Sequence, residues 1–166
     1  MEDAAKSRWI TLKSRDLIDL VRTTFAAILS ALIGRALHMP EAYWAVIATL
    51  IVMQSNLGAA WRISKDRLIG TALGASAGAL LLTYTGPNIA AFGFGKFAIG
   101  ILCLLLRVGD GAFRYAGITL VIVMLTPHTK APPIVAIHRF VEISTGIAVG
   151  LVVTAIWPER AAAATQ

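Results

Sequence analysis

Ionisable residues inside apolar stretches are the groups of this sequence that could do chemistry. Lys96 lies in the middle of the apolar run AAFGFGKFAIG, and Glu142 lies early in the last apolar run, beside Arg139. A charge at such a position is costly, so it usually faces a partner, a bundle interior or a water-filled path. Lys96 and Glu142 are therefore expected to form a salt bridge, or to exchange protons in a transport cycle with Glu142 as the proton carrier. Arg35 and Arg139 are expected to reach the membrane surface instead.

Two polar breaks mark a second kind of candidate site. Gln54-Ser55-Asn56 ends the second apolar run, and Thr126-Pro127-His128 ends the fifth. Interrupted segments at corresponding positions indicate a binding site in transporters, because freed backbone groups are tolerated only where they line a cavity. Gln54 and Asn56 are accordingly candidates for lining a solute path. The alternative interpretation is that both breaks are ordinary helix caps at the membrane surface.

No motif of an enzyme, cofactor or metal site occurs. The sequence has no Gly-rich phosphate loop, no GxSxG, no HExxH and no paired carboxylates at catalytic spacing. His38, His128 and His138 lack metal-site spacing, and the single Cys103 lies in an apolar run. We therefore expect a protein that is not an enzyme and holds no cofactor or metal. Scattered interfacial histidines are favoured over a pH-sensitive gate.

The composition indicates a polytopic membrane protein. Hydrophobic residues make up 57% of the 166 residues and charged residues only 14%, whereas about a quarter of a soluble domain is charged. The net charge of +6 is carried by clusters between apolar runs, where a membrane protein needs topology signals. A nucleic-acid partner is not expected, because no interleaving of aromatic and basic residues marks a stacking surface.

The lengths of the apolar runs predict an all-α fold. A bilayer core of ~30 Å needs about 20 helical residues. On that criterion the sequence contains six predicted transmembrane helices, at residues 17–37, 42–55, 68–85, 88–106, 113–127 and 138–157. The predicted organisation is a cytoplasmic N-terminal segment (1–16, amphipathic or flexible), the six-helix domain (17–157) and a cytoplasmic tail (158–166). Because basic residues concentrate on one side, both termini are expected in the cytoplasm.

Glycines spaced four apart predict close helix packing. Gly70, Gly74 and Gly78 form a flat stripe on the third predicted helix, and Gly146 and Gly150 form one on the sixth. Such stripes let helix backbones approach closely within lipid. We expect these two helices to cross near an internal symmetry axis, or one of them to make a dimer contact.

The chain also resembles itself at an offset of 72 residues. The offset aligns Arg67 with Arg139, Tyr43 with Tyr115 and Gly74 with Gly146, and apolar runs and breaks coincide without gaps. The pattern predicts two three-helix repeats, at about 17–85 and 88–157. An odd number of helices per repeat inverts the second copy in the membrane. The alternative is coincidence among similar apolar helices.

Several short patterns resemble the fusaric acid resistance protein-like and aromatic acid exporter superfamily. They are Tyr43-Trp44, Gln54-Ser55, Leu57-Gly58, the stretch RLIGTALG that begins at Arg67, and the ending Trp157-Pro158-Glu159-Arg160. The resemblance covers nearly the whole chain. The sequence departs from the larger exporters in having one six-helix block and no soluble domain, which suggests a homo-oligomer.

The resemblance implies proton-coupled export of organic anions, typically aromatic carboxylates, from a bacterial inner membrane. In that case Arg67, at a helix start, and Lys96 would attract the anion. Tyr43 and Trp44 would form an aromatic wall, although anchoring at the interface is an equal alternative for them. The expected partners are the lipid bilayer and the anion. A passive anion channel and an accessory structural subunit are the competing functions.

Overall fold

The fold is all-α in the computed structural model, which describes residues 2–53, 56–127 and 129–157. Six helices and no strand occur in these ranges, as predicted. They are α1 (Glu2–Ala36), α2 (Tyr43–Met53), α3 (Leu57–Thr85), α4 (Ile89–Leu105), α5 (Asp110–Leu125) and α6 (Pro132–Ile156). Helix α1 includes residues 2–16 without a break, so the N-terminal segment is helical.

Besides α1, two helices begin well before their predicted starts, α3 and α6. The basic stretch around Arg62 and Arg67 was expected to be a loop, but it lies inside α3, where the side chain of Asn56 caps the Ala59 N–H. Charge excludes a segment from the bilayer core without preventing it from being helical, and no Gly or Pro interrupts residues 59–69. Pro132 and Pro133 were likewise expected in a loop, yet they open α6, a position that suits a residue without an N–H group.

Helices α1 and α4 end in the same way. His38 after α1 and Arg107 after α4 have positive φ angles of 52° and 51°. In both turns the next amide bonds back to the helix, from Met39 to the Gly34 carbonyl and from Val108 to the Cys103 carbonyl, each at 3.0 Å. This is the Schellman arrangement, which usually places glycine at the left-handed position. It reverses the chain within a few residues and leads directly into α2 and α5.

The short helices α2 and α5 each pack in parallel against a long helix from the other half of the chain, α2 against α6 and α5 against α3. A Cβ atom at Gly146 of α6 would overlap the Ala45 carbonyl of α2, and one at Gly74 of α3 would overlap the Ala116 carbonyl of α5. One turn further on, Gly150 faces Val52 and Gly78 faces Val123. The contacts advance in the same direction along both helices of each pair, α2 with α6 and α5 with α3. The glycines therefore face the short helices rather than each other.

One arginine of α1 ties the ends of two other helices together. Arg22 of α1 is 2% exposed, and its guanidinium donates to the carbonyls of Met53 and Trp157 and to the Asp19 carboxylate. Those carbonyls lie at the ends of α2 and α6, where backbone acceptors lack partners within the helix and carry partial negative charge. The clamp holds α2 and α6 in register at this end.

Candidate functional site

The densest group of charges lies where the α1–α2 connector meets α6. Arg139 donates to a Glu41 oxygen at 2.8 Å and to a Glu142 oxygen at 3.3 Å. The other Glu142 oxygen accepts the backbone N–H of Glu41 at 2.9 Å. Arg139 and Glu142 are 2% and 1% exposed. Burial of a charge of either sign costs least when the charge is paired and hydrogen-bonded, and these three residues pair with one another. We call them the Arg139 cluster.

Two aromatic residues at the start of α2 complete the Arg139 cluster. The Trp44 ring lies 4.7 Å from the Arg139 guanidinium, within the range of a cation–π contact. The Trp44 indole N–H and the Tyr43 hydroxyl both donate to the oxygen of Glu41 that Arg139 binds. Burial raises the pKa of Glu41, but the three donors and the charge of Arg139 outweigh burial and hold the pKa at about 2. Glu41 is therefore a fixed negative charge.

A cavity of about 280 Å³ opens beside this cluster. Helix α6 begins well before Arg139, whereas α2 begins only at Tyr43 beside Glu142, so the first turns of α6 project past α2 and form a wall. The lining residues are Pro40, Glu41, Pro127, Thr129, Lys130, Val135, His138, Arg139 and Glu142. Neither Lys130 nor His138 forms an ion pair with any residue in the described ranges. The cavity thus holds a lysine and a histidine without an ion-pair partner in the described ranges, above a buried carboxylate.

A second buried arginine lies on α3. Arg67 is 4% exposed, and its guanidinium lies 5.0 Å from the centre of the Tyr115 ring of α5. Within the described ranges no carboxylate lies at ion-pair distance from it, and its Nε atom has no hydrogen-bond partner. Ser64 lies one turn before Arg67 and Thr71 one turn after it on the same helix face, and their buried hydroxyls also lack partners in the described ranges. We call these three residues the Arg67 stripe.

Lys96 does not meet Glu142, contrary to the expected pair. Its ammonium group donates to the Phe113 carbonyl at 2.8 Å and lies over the Phe113 ring. Gly117 of α5 leaves room for this, because a Cβ atom there would overlap the lysine. Helices α4 and α6 make no contact in the described ranges. Lys96 therefore finds its partners on the helix beside it, which is a local way to satisfy a charge.

The structure brings some of the candidate residues together and separates the others. Tyr43, Trp44 and Glu142 come together around Arg139, whereas Arg67 and Lys96 lie on separate contacts with α5. The Asn56 side chain accepts the Ala59 N–H at 3.0 Å as the cap of α3. Gln54, Ser55 and His128 lie outside the described residues.

Sequence reasoning missed Glu41 and misplaced Arg139. Arg139 was expected to extend to the surface, but it is buried with carboxylates on two sides. Glu41 carried no signal as a site, because it stands alone in a short polar connector. One signal was available: the internal offset pairs Arg139 with Arg67, and both sit near the start of a glycine stripe.

Comparison with known proteins gives a family. Residues 28–153, more than half of the chain, match the family described as Fusaric acid resistance protein-like. The chain is also 30% identical over 84 residues to the Uncharacterized protein YhfK of Escherichia coli (strain K12). That alignment covers 51% of this chain but only 12% of the relative. No solved structure matches.

The helices agree with the membrane setting that this family implies. Three segments are long and apolar enough to cross a membrane by length and composition, Leu17–Ala36, Leu57–Thr85 and Pro132–Ile156. The outer face of α4 exposes large apolar side chains, with Phe94 69% and Leu104 79% exposed, as expected for lipid contact. The family match and these helices together indicate a multi-pass membrane protein. The chain belongs to the fusaric acid resistance protein-like family.

Proposed function

We propose that the protein is a proton-coupled exporter of aromatic or other organic carboxylate anions. It works as a transporter and not as an enzyme. It lies in a bacterial inner membrane with both termini in the cytoplasm, as the bias of basic residues favours, and functions as a homo-oligomer. Glu142 carries the proton.

The observation that carries the proposal is the burial of Arg67 without a carboxylate partner. Taking a guanidinium out of water costs several kcal/mol unless an opposite charge compensates it. Arg67 is 4% exposed in an apolar helix, and no carboxylate in the described ranges pairs with it. A transported anion supplies that charge. The neighbouring Tyr115 ring offers an aromatic acid a stacking surface next to its carboxylate.

The other candidate residues take supporting roles along the path. Lys96 lies on the far side of α5 from the Arg67 contact and attracts the anion at longer range. Gln54 and Asn56 lie at the break before α3 and line the path. Tyr43 and Trp44 form an aromatic wall at the start of α2, where Trp44 already covers Arg139.

Inverted repeats fit this mechanism, and matched contacts support them. Arg67 lies over Tyr115 of α5, and Arg139 lies over Trp44 of α2. Helices α2 and α5 follow corresponding Schellman turns, and each packs on the long helix of the other half, which supports a symmetric relation between the two halves. Residues of α3 correspond to residues of α6 at an offset of 72, whereas residues of α2 correspond to residues of α5 at an offset of 71. At the offset of 71, Tyr115 corresponds to Trp44 and not to Tyr43, its counterpart at the offset of 72. Pseudo-symmetry of this kind allows one half to rock against the other in alternating access.

Flux measurements with purified protein in liposomes test the proposal. We expect benzoate efflux that accelerates when a pH gradient is imposed, and loss of at least about 90% of that flux in Arg67→Gln, since the anion would no longer find its charge partner. Arg62→Gln is the matched control, because Arg62 lies on the same helix but is exposed.

Two outcomes contradict the exporter. Benzoate flux that ignores the pH gradient indicates a passive anion channel. Absence of flux for a panel of aromatic and aliphatic acids indicates an accessory membrane subunit.

A further inference from the structure

We propose that Glu142 is a built-in competitor for the substrate carboxylate, and that the anion displaces it from Arg139 only when Glu142 takes up a proton. The inference rests on the proposed transport of carboxylates and specifies how the proton and the anion are coupled. It assigns the cavity beside the Arg139 cluster as a carboxylate subsite.

The first step is that Glu142 already occupies an anion site. Its two oxygens accept from the Arg139 guanidinium and from the Glu41 N–H. The Glu41 amide lies in the turn that leads into α2, near the positive end of the helix dipole. A guanidinium and a free amide near a helix start are the donors that bind a carboxylate ligand in many proteins. The side chain of Glu142 therefore stands where a ligand carboxylate could stand.

The second step is access. Glu142 and Arg139 are almost fully buried, yet both line the cavity of about 280 Å³. This volume is at the small end of ligand pockets, which suits a single-ring acid. Arg139 also keeps a buried Nε atom without a partner in the described ranges. Lys130 at the cavity wall attracts an anion, and the ring N–H of His138 can donate a hydrogen bond to it before the exchange.

The third step is the charge balance. Glu142 accepts one proton from water in the cavity and becomes a neutral carboxylic acid, which releases its bonds to Arg139 and the Glu41 amide. One substrate carboxylate then binds those donors. No covalent bond other than the O–H bond forms or breaks, and the net charge of the site is the same before and after. Binding one monocarboxylate therefore takes up one proton.

The groups around the two carboxylates of the cluster explain why the substrate displaces Glu142 and not Glu41. From α6 it meets Arg139 and His138, from the connector Glu41, and from the α5–α6 loop Lys130. The side chain of Glu41 keeps three donors of its own, from Tyr43, Trp44 and Arg139. The three donors to Glu41 share one of its oxygens and stabilise its negative charge there, whereas each oxygen of Glu142 accepts a single bond, so a proton on either one displaces a donor. Glu142 is consequently the easier carboxylate to displace.

The opposite half of the molecule lacks this competitor. At the offset of 72 the position of Glu142 corresponds to Gly70, and at the offset of 71 that of Glu41 corresponds to Ala112. Both lie beside each other at the α3–α5 contact, near Arg67. An anion thus reaches Arg67 without displacing a carboxylate, and proton exchange belongs to the Arg139 cluster alone.

Calorimetric titration of the full-length protein in detergent with benzoate tests the inference. The titration is repeated in buffers of different ionisation enthalpy, so that the number of protons taken up per benzoate is measured. For each benzoate bound beside the Arg139 cluster we expect uptake of about one proton at pH 7, and an affinity of that site that weakens about tenfold per pH unit as the pH rises. In Glu142→Gln we expect no proton uptake and a pH-independent affinity, because glutamine resembles the protonated acid. Asp66→Asn, which removes a carboxylate outside this cavity, should behave as the unmodified protein does.

The outcomes separate the inference from the proposed function. Benzoate that binds without proton uptake, or equal uptake in Glu142→Gln, overturns the exchange and leaves anion transport standing. Benzoate that binds at no pH overturns the proposed substrate class and the exchange with it. If Glu142→Gln does not fold, infrared difference spectra of the unmodified protein decide: the band of a protonated carboxylic acid must appear when benzoate is added, and its absence refutes the exchange.

Discussion

The Arg139 cluster and the Arg67 stripe are two solutions to the burial of an arginine in an apolar helix. Arg139 has carboxylates from Glu41 and Glu142, whereas Arg67 has a tyrosine ring and hydroxyls that lack partners in the part of the chain that the structure describes. Both share the same backbone setting, a long helix packed in parallel on a short one through glycine. The same arrangement of helices therefore carries one arginine that carboxylates of the chain neutralise, Arg139, and one that no carboxylate in the described ranges neutralises, Arg67.

Neutralising each arginine should separate the two sites most strongly. Arg139→Gln leaves Glu142 buried without its partner, and breaking a buried pair in this way costs about 3–5 kcal/mol. Arg67→Gln strands no carboxylate in the described ranges, so its cost should be about 1 kcal/mol or less, or stability should rise. Thermal unfolding in detergent measures both. Equal destabilisation would show that the two sites do not differ in charge compensation.

The glycine contacts should be equally sensitive in both halves. Gly146→Ala and Gly74→Ala each push a methyl group into a backbone carbonyl of the short helix, and overpacking of this kind costs about 1–3 kcal/mol. Gly93→Ala on α4 is the matched control, because nothing lies within 4 Å of its Cβ position. Thermal unfolding of all three variants compares them. A large loss in one half alone would argue that the two helix pairs are not equivalent.

Acid should weaken the Arg139 cluster and leave the Arg67 stripe unaffected. The pKa of Glu41 is lowered from 4.5 to about 2, so its contribution to stability is full above pH 4.5 and is lost as the pH falls towards 2. A third of its side chain is exposed, and water screens the pair, so the loss should be about 1 kcal/mol. Melting curves between pH 6 and pH 3, values chosen to span the onset of the loss, should be flatter for Glu41→Gln than for the unmodified protein. Parallel pH dependences of the two proteins would show that protonation of Glu41 does not weaken the cluster.

The smallest effect should come from the two matched turns. Arg107 has a φ angle of 51°, which costs a residue with a Cβ atom about 1–2 kcal/mol relative to glycine. Glycine also gains entropy when unfolded, so Arg107→Gly should stabilise the protein by only about 0.5 kcal/mol. His38→Gly in the other turn should do the same, and unfolding measurements check both. Opposite signs would break the equivalence of the turns.

Much of the architecture was predictable because it depends on local pattern. Apolar runs with Gly and Pro at their ends predicted six helices, and six are found in the described ranges. The boundaries that were wrong, at Leu57 and Pro132, arose because bilayer length was used to place helix ends, whereas Asn56 and Pro132 determine them through capping. The expected Lys96–Glu142 pair failed because two isolated charges in a sequence do not reveal which helices touch.

The amino-acid sequence alone determined the apolar, all-helical character of this protein, the order of its helices and the glycines that permit close approach, since each follows from residue type and spacing along one segment. Only the tertiary structure decided which charges meet. Arg139 reaches Glu41, 98 residues away, because α2 packs in parallel against α6. Which helices become neighbours depends on how whole helix surfaces fit together. The sequence therefore suggested Lys96 as the partner of Glu142, whereas the fold placed Arg139 beside it.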